Sequence, residues 1–186
     1  MGSESPRRAE LLDACYAYVL EHGISGLSLR PLAAATGTSP RVLLYLFGNK
    51  DHLVRELLAR ARHEQVALVA GALDPSTGSG FDALVDRVWA LLSAPEQRPM
   101  VRLTYEAFLH SLRHDPGPWL GFAAESAHDW LDLLIRAQPD TPRPLAEARA
   151  TRALALVRGL LLDLLAGAEP ARVAAAVKPG WCSACR

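Results

Sequence analysis

The apolar residues of this chain recur at the spacing of an α-helix along almost its whole length. No stretch alternates between apolar and polar residues in the way that a half-buried strand does. Half of the 186 residues are hydrophobic and 22% are charged, which supplies enough apolar material for a packed core. The sequence therefore predicts an all-α protein.

Glycine and proline divide the first seventy residues into four predicted helices. Their expected bounds are 8–22, 29–36, 40–46 and 50–71. The first three are each followed by a glycine that can end a helix, namely Gly23, Gly37 and Gly48. The last three are each preceded by a side chain that can cap a helix, namely Ser28, Ser39 and Asn49. Two short helices joined by a tight glycine-containing turn form a helix-turn-helix.

The remainder of the chain is predicted to form a second helical domain. The segment DPSTGSG, residues 74–80, has the composition of a linker. Helices are expected beyond it at 81–93, 96–114, 119–137 and 145–166, with a short last one starting at Pro170. We therefore expect a helix-turn-helix domain at 1–50, a connecting helix at 50–71 and a C-terminal domain at 72–186.

The helix-turn-helix predicts DNA binding, because its second helix can enter the major groove. That helix starts at Pro40 and is roughly 10 Å long, so only its N-terminal end and one face can reach bases. Arg41 is the best candidate for a base contact, since a guanidinium can bind guanine N7 and O6 together. Lys50 and the amides opening the next helix form a candidate phosphate site, and the Tyr45 hydroxyl could donate to a phosphate. The predicted DNA-binding residues are Ser28, Arg30, Ser39, Pro40, Arg41, Leu44, Tyr45, Asn49 and Lys50.

Charge supports DNA binding only locally. The formal net charge is zero, with twenty basic and twenty acidic residues, so a DNA-binding face has to be a local patch. Residues 41–62 carry five basic and two acidic side chains, which suits a few salt-sensitive phosphate contacts per subunit. The alternative interpretation is that these arginines solvate an exposed helix face.

A resemblance to a known family lies in the segment LSLRPLAAATGTSPRVLLYLFGNKDHL, residues 27–53. It resembles the DNA-binding domain of TetR/AcrR-type transcriptional regulators over about 45 residues, from the first helix into the fourth. The matching positions are Ser28, Leu32-Ala33, Thr36-Gly37-Thr38-Ser39, Tyr45, Phe47 and Asn49-Lys50. The departures are Leu44 and Leu46, which stand where the family usually has polar or aromatic phosphate-contacting side chains.

The resemblance implies a regulator that binds a palindromic operator as a homodimer and is released by a small-molecule effector. It also implies that two C-terminal helices pair with those of a second subunit, and that repression is the commoner mode. The segment ALALVRGLLLDLLAG, residues 153–167, has leucines nearly all round a helix and must be buried on more than one side. The alternative for this segment is an ordinary core helix of a monomer.

Large apolar side chains of the C-terminal region are candidates for binding a largely apolar effector. They are Trp89, Met100, Tyr105, Phe108, Trp119, Phe122 and Trp130. Each of them could equally be a core residue, because aromatic residues at helical spacing usually are. Bound effector would have to favour an arrangement that cannot bind DNA, with the fourth helix as the mechanical link.

A second class of function rests on possible metal ligands. Glu106, His110 and His114 are spaced to lie on one helical face, although one helix rarely closes a metal site. Cys182 and Cys185 form a lone C-x-x-C pair in the tail, and Cys15 is expected in the core. The alternative is thus a helical small-molecule- or metal-binding protein that keeps the helix-turn-helix as a scaffold. We predict no enzyme activity, no cofactor and no metal.

The sequence also predicts a cytoplasmic protein that does not enter a membrane. No apolar run follows Arg7 and Arg8, so a signal peptide is not expected. The most apolar stretch, 153–168, is interrupted by Arg158 and Asp163 and is too short to span a bilayer.

Overall fold

All regular structure in the described part of the chain is helical. The computed structural model describes residues 6–71, 80–113 and 117–177. The predicted all-α fold class is confirmed, with no β-strand among these residues. Among them, none of the helices combines the length and the apolar character that crossing a bilayer requires.

The N-terminal helices follow the glycine and cap positions closely. Their bounds are α1 Pro6–His22, α2 Leu29–Ala35, α3 Pro40–Phe47 and α4 Lys50–Ala70. Gly48 ends α3 with a φ of 77°, a left-handed conformation that a side chain would strain. The helix-turn-helix consists of α2, the turn through Gly37, and α3.

The C-terminal helices also lie close to their expected positions. Their bounds are α5 Phe81–Leu92, α6 Arg98–Leu112, α7 Phe122–Arg136, α8 Arg143–Leu165 and α9 Pro170–Ala175. A 3-10 turn, Pro95–Gln97, precedes α6. The expected start of α7 at Trp119 was three residues early, because a turn through Gly121 intervenes. Most of the expected linker, 74–80, lies outside the described residues. Cys182 and Cys185 lie outside them as well.

The chain folds into two compact units. The first unit contains the described parts of 1–64 and 102–125, and the second contains those of 65–101 and 126–186. Helices α4, α6 and α7 each contribute residues to both units. The functional domain boundaries at residues 50 and 72 stay a prediction.

The first unit is built around one apolar cluster beneath the helix-turn-helix. Leu32 of α2, Leu43 and Phe47 of α3, and Leu57 of α4 are at most 1% exposed. Residues from α6 and α7, including Phe122, belong to the same cluster. The second unit packs α5 and α9 against α8. Within this single chain, α8 buries one side through Leu154, Val157 and Leu161, while Leu162 is 49% exposed.

Candidate nucleic-acid interface

Helix α3 has one buried face and one solvent-facing face. Leu43 and Phe47, one helical turn apart, are each 1% exposed and fix the inner face in the core. Tyr45 is 85% exposed and Leu44 is 40% exposed, and Arg41 is exposed in the first turn. The outer face of α3 therefore offers a cation, a phenol and an apolar group to a partner.

The N-terminal end of α3 is capped as the sequence predicted. Ser39 has extended backbone angles, and its Oγ accepts a hydrogen bond from the Val42 amide at 3.3 Å. Pro40 occupies the first helical position. At the start of α2, Ser28 occupies the N-cap position, but its side chain makes no capping hydrogen bond. The predicted side-chain cap by Ser28 was therefore wrong, and its hydroxyl stays exposed.

The C-terminal end of α3 is held by two basic side chains that the sequence reasoning did not identify. Arg8 Nε donates to the Leu46 carbonyl at 3.2 Å, and His52 Nδ1 donates to the Phe47 carbonyl at 2.9 Å. Both carbonyls belong to the last turn, where carbonyls lack intrahelical donors. Donors at the negative end of the helix dipole stabilise it. Helix α3 is thus fixed at both ends by side chains.

Arg8 makes further contacts that tie α1 and α4 to α3. Its Cζ lies 4.8 Å from the centroid of the Phe47 ring, within the range of a cation–π interaction. Its guanidinium also pairs with Glu56 on α4, and His52 Nδ1 lies 3.3 Å from the same carboxylate oxygen. Because Glu56 is largely shielded by these partners, the network holds α3 between α1 and α4.

Asn49 and Lys50 begin α4 beside the end of α3. Asn49 Oδ1 accepts a hydrogen bond from the His52 amide at 2.8 Å, which confirms the predicted cap. Lys50 is the first residue of α4 and is exposed. Arg30 is exposed in the first turn of α2. Of the two departures from the family pattern, Leu46 packs against the core, whereas Leu44 faces solvent.

A carboxylate of α6 holds the turn between α1 and α2. Glu106 Oε2 accepts hydrogen bonds from the amides of Ile24 at 3.0 Å and Ser25 at 3.3 Å. The contact needs Gly23, whose φ is +81° and where an added Cβ would lie 3.1 Å from Glu106 Oε1. Glu106 lies 82 positions from Ile24 and 81 from Ser25 in the sequence, so no local pattern could indicate the contact.

Arg102, one turn earlier on α6, caps the C-terminal end of α1. Its Nη2 donates to the carbonyls of Leu20 and Glu21, both at 3.0 Å. Those carbonyls lie in the last turn of α1, where a cation also interacts favourably with the helix dipole. The side chains of α6 thus contact both sides of the turn that leads into the helix-turn-helix.

His110 continues the same row on α6. A hydrogen bond of 3.0 Å joins its Nε2 to Ser25 Oγ, and its ring stacks on Trp119 at 4.5 Å between centroids. Glu106 and His110, two of the three metal candidates, are therefore engaged with the α1–α2 turn. His114 lies outside the described residues. Within the described ranges, no group of three potential ligand side chains is close enough to hold a metal ion.

Cys15 occupies the core of the first unit, as the sequence predicted. Its side chain is fully buried, and this burial raises the pKa of the thiol to about 11. A thiol with this pKa is protonated at neutral pH, so it is a packing residue and a poor nucleophile.

The seven predicted effector-binding residues are divided between the two units. Tyr105, Phe108, Trp119 and Phe122 belong to the first unit, where the last two pack with its core cluster. In the second unit, Trp89, Met100 and Trp130 are buried. The indole Nε1 of Trp130 donates to the buried Gln65 Oε1 at 3.3 Å. Their role in binding an effector stays a prediction.

The arrangement of α2, α3 and the start of α4 defines a helix-turn-helix DNA-binding protein. Residues 11–57 match the family model described as bacterial regulatory proteins of the tetR family. Together with the relatives described below, this match over the N-terminal helices supports a TetR-family transcriptional regulator.

Whole-length relatives agree with this assignment. The chain is 24% identical over 189 residues to the HTH-type transcriptional regulator BetI of Paraburkholderia phymatum, covering 96% of this chain and 91% of that protein. It is 28% identical over the same length to BetI of Burkholderia thailandensis, with the same coverage. These relatives are regulators, which is consistent with the expectation that the chain is not an enzyme.

Solved structures share the fold over almost the whole chain. A transcriptional regulator from Rhodococcus sp. superposes with a TM-score of 0.74 at 20% identity, covering 91% of each chain. The multidrug binding protein EbrR, in complex with imidazole, superposes with a TM-score of 0.68 at 29% identity. That match covers 93% of this chain and 87% of EbrR.

Proposed function

We propose that this regulator is a cytoplasmic, ligand-responsive repressor that binds a palindromic operator as a homodimer and is released by a small, largely apolar effector. The observation that carries the proposal is the two-faced α3. Its inner face is fixed in the core, while Arg41, Leu44 and Tyr45 stand exposed. An outward face held this firmly by a packed inner face suits insertion into the major groove.

Each exposed group has a contact that its chemistry favours. Arg41 is suited to guanine in the major groove, and Leu44 to the methyl group of a thymine. The Tyr45 hydroxyl and Lys50 are suited to phosphates, and Arg30 supplies a second guanidinium nearby in sequence. Ser28, Ser39, Pro40 and Asn49 start the helices that carry these groups. Leu44 stands where the family usually has a polar or aromatic phosphate-contacting side chain, so an apolar contact would replace a phosphate contact there.

Dimerisation is supported by α8. Its leucines surround the helix, yet within one chain only one side is buried and Leu162 is 49% exposed. Covering such a face by the same face of a second chain gives a two-fold symmetric pair. That symmetry matches a palindromic operator whose half-sites lie about one helical turn apart.

Release by effector requires a connection between the helices that carry the predicted effector-binding residues and the helix-turn-helix. Helices α4 and α6 each run through both units. In the first unit, Arg102 and Glu106 of α6 hold the end of α1 and the turn after it. A change in α6 that accompanied effector binding would therefore bear on this turn. The effector has to bind one arrangement better than the other for the equilibrium to shift.

The predicted effector-binding side chains of the second unit are large and apolar, which would suit an apolar effector. Trp89, Met100 and Trp130 are each at most 7% exposed. EbrR, which shares the fold, is described as a multidrug binding protein and was crystallised with imidazole. The competing metal-dependent function would need His114 to join Glu106 and His110, which already bond to the α1–α2 turn.

The experiment is a fluorescence-anisotropy titration of the full chain on DNA taken from upstream of its own gene. We expect binding that weakens steeply as salt rises, with a stoichiometry of two chains per operator. Sedimentation of the protein alone should show a dimer. Absence of salt-sensitive binding to this DNA, in the presence of a folded dimer, would overturn the proposal.

A further inference from the structure

A cleft in the second unit carries an unusual set of polar groups. It has a volume of about 660 Å³ and lies between the start of α5, the α7–α8 connection and α8. The aromatic, charged and amide side chains that line it are Phe81, Asp82, Asp86, Gln138, Asp140 and Arg149. None of the seven residues predicted to bind the effector lines this cleft.

The cleft is acidic. Asp82, Asp86 and Asp140 supply three carboxylates and Arg149 one guanidinium, so these side chains carry a net charge of −2. None of the three carboxylates has an ion-pair or hydrogen-bond partner among the described residues. Among those residues the carboxylates are also not grouped closely enough for a metal ion. Dispersed negative charge of this kind suits an extended cation better than a compact one.

The aromatic ring of Phe81 in the cleft already lies beside a cationic side chain, that of Arg149. The Arg149 Cζ lies 5.9 Å from the centroid of the Phe81 ring, near the outer limit for a cation–π interaction. Phe81 is itself partly exposed, so its ring contributes an apolar surface beside the carboxylates. This combination of ring and carboxylates is suited to the alkyl chain and charged ends of an organic cation.

Gln138 provides an independent indication of a ligand. It lines the cleft yet is only 6% exposed. Its Nε2 donates to the carbonyls of Leu134 at 3.1 Å and Ala146 at 3.2 Å, which fixes the orientation of the amide. Its Oε1 is buried and has no hydrogen-bond partner within the described ranges. A buried acceptor without a donor is destabilising, so a ligand that brings an N–H group gains by supplying one.

We propose that this cleft is a binding site for a small aliphatic diamine whose two ends are primary ammonium groups. The two positive charges of the diamine balance the net charge of the lining, and its alkyl chain can pack against the Phe81 ring. An N–H of one ammonium group satisfies Gln138 Oε1, which a quaternary ammonium cannot do. The site does not depend on the proposed repressor function, because binding is measured without DNA.

The test is isothermal titration calorimetry of the full chain at low salt with cadaverine as the probe. Two matched compounds are its fully methylated bis-quaternary analogue, which has the same charge without N–H groups, and the neutral diol of equal length. We expect binding in the order cadaverine, quaternary analogue, diol. Raising the salt should weaken the binding of both cations.

Variants locate the site. Asp86→Asn combined with Asp140→Asn should weaken cadaverine binding about twenty-five-fold, since each lost charge pair near the surface is worth about fivefold in affinity. Glu96→Gln, which removes one exposed charge from the 3-10 turn outside the cleft, should leave affinity unchanged. Gln138→Leu should weaken cadaverine about tenfold and leave the quaternary analogue unaffected, as expected for one lost hydrogen bond. Thermal melts check that each variant is folded.

Three results would overturn the proposal. One is no heat of binding for cadaverine at low salt, and another is unchanged affinity in the folded double aspartate variant. The third is equal affinity for the diamine and the diol, which would mean that charge has no part in binding. A gel shift run in parallel reports separately on DNA binding, so failure of the repressor function is distinguished from failure of this site.

Discussion

Replacing Glu106 by alanine should destabilise the first unit even though Glu106 lies far from the helix-turn-helix in sequence. The change removes the acceptor for the amides of Ile24 and Ser25. Ile24 is 1% exposed, so its N–H would be left without a partner, at about 1–3 kcal/mol. Ser25 is exposed and water can replace its bond, so it adds only about 0.5 kcal/mol.

The expected loss is therefore about 1.5–3.5 kcal/mol in the free energy of unfolding. Glu106→Gln keeps a carbonyl oxygen but loses the charge, and should lose about half as much. Urea denaturation followed by circular dichroism measures both values. Hydrogen exchange provides the local readout, because the Ile24 amide should exchange faster in Glu106→Ala. Glu96→Ala, on an exposed turn, is the matched control.

A loss below about 0.5 kcal/mol together with unchanged exchange at Ile24 would show that Glu106 does not hold the α1–α2 turn. The same experiment separates the hydrogen-bonding role from a metal-binding role. If Glu106 acted as a metal ligand, a chelator would reproduce the destabilisation in the unmodified protein. We expect the chelator to have no effect.

Three further predictions concern other parts of the chain. Arg8→Ala should lose about 2 kcal/mol of stability and weaken DNA binding, measured by urea denaturation and anisotropy, because it removes a charged hydrogen bond and a cation–π contact. The pKa of Glu169 is lowered by the amides of α9 that it caps, so its stabilisation is present above the pKa of the unfolded chain and lost as pH falls through the folded value. When helicity is measured over a series of pH values, the Glu169→Gln variant should not show this loss at low pH. With Cys182 and Cys185 replaced by serine, Cys15 should react with a thiol reagent only on unfolding, since burial raises its pKa to about 11.

The helix positions could be predicted because their signals are local. Gly48 and the Ser39-Pro40 pair each fix a helix end through the backbone next to them. The cap at Asn49 has the same local origin. The buried face of α3 also follows from sequence, because Leu43 and Phe47 are one helical turn apart.

The contacts that hold the site in place could not be predicted in this way. Arg8 bonds to a carbonyl 38 residues away, and Glu106 bonds to an amide 82 residues away. Nothing in the local pattern around either residue indicates such a partner. The Ser28 cap failed for a different reason: an N-cap position does not oblige the side chain to make the capping hydrogen bond, and Ser28 makes none. Aromatic residues at helical spacing give no signal that separates core from ligand site, as Phe122 in the core cluster illustrates.

A comparison of Arg41→Ala with Lys50→Ala shows whether α3 reads DNA sequence while the start of α4 holds a phosphate. Anisotropy titrations would use the operator, the operator with single base changes and unrelated DNA, each over a series of salt concentrations. We predict that Arg41→Ala reduces discrimination at one base pair by about 1–3 kcal/mol. Lys50→Ala should weaken binding to all sequences alike and lower the salt slope by about one. Unchanged discrimination in a folded Arg41→Ala variant would mean that α3 does not read the operator through Arg41.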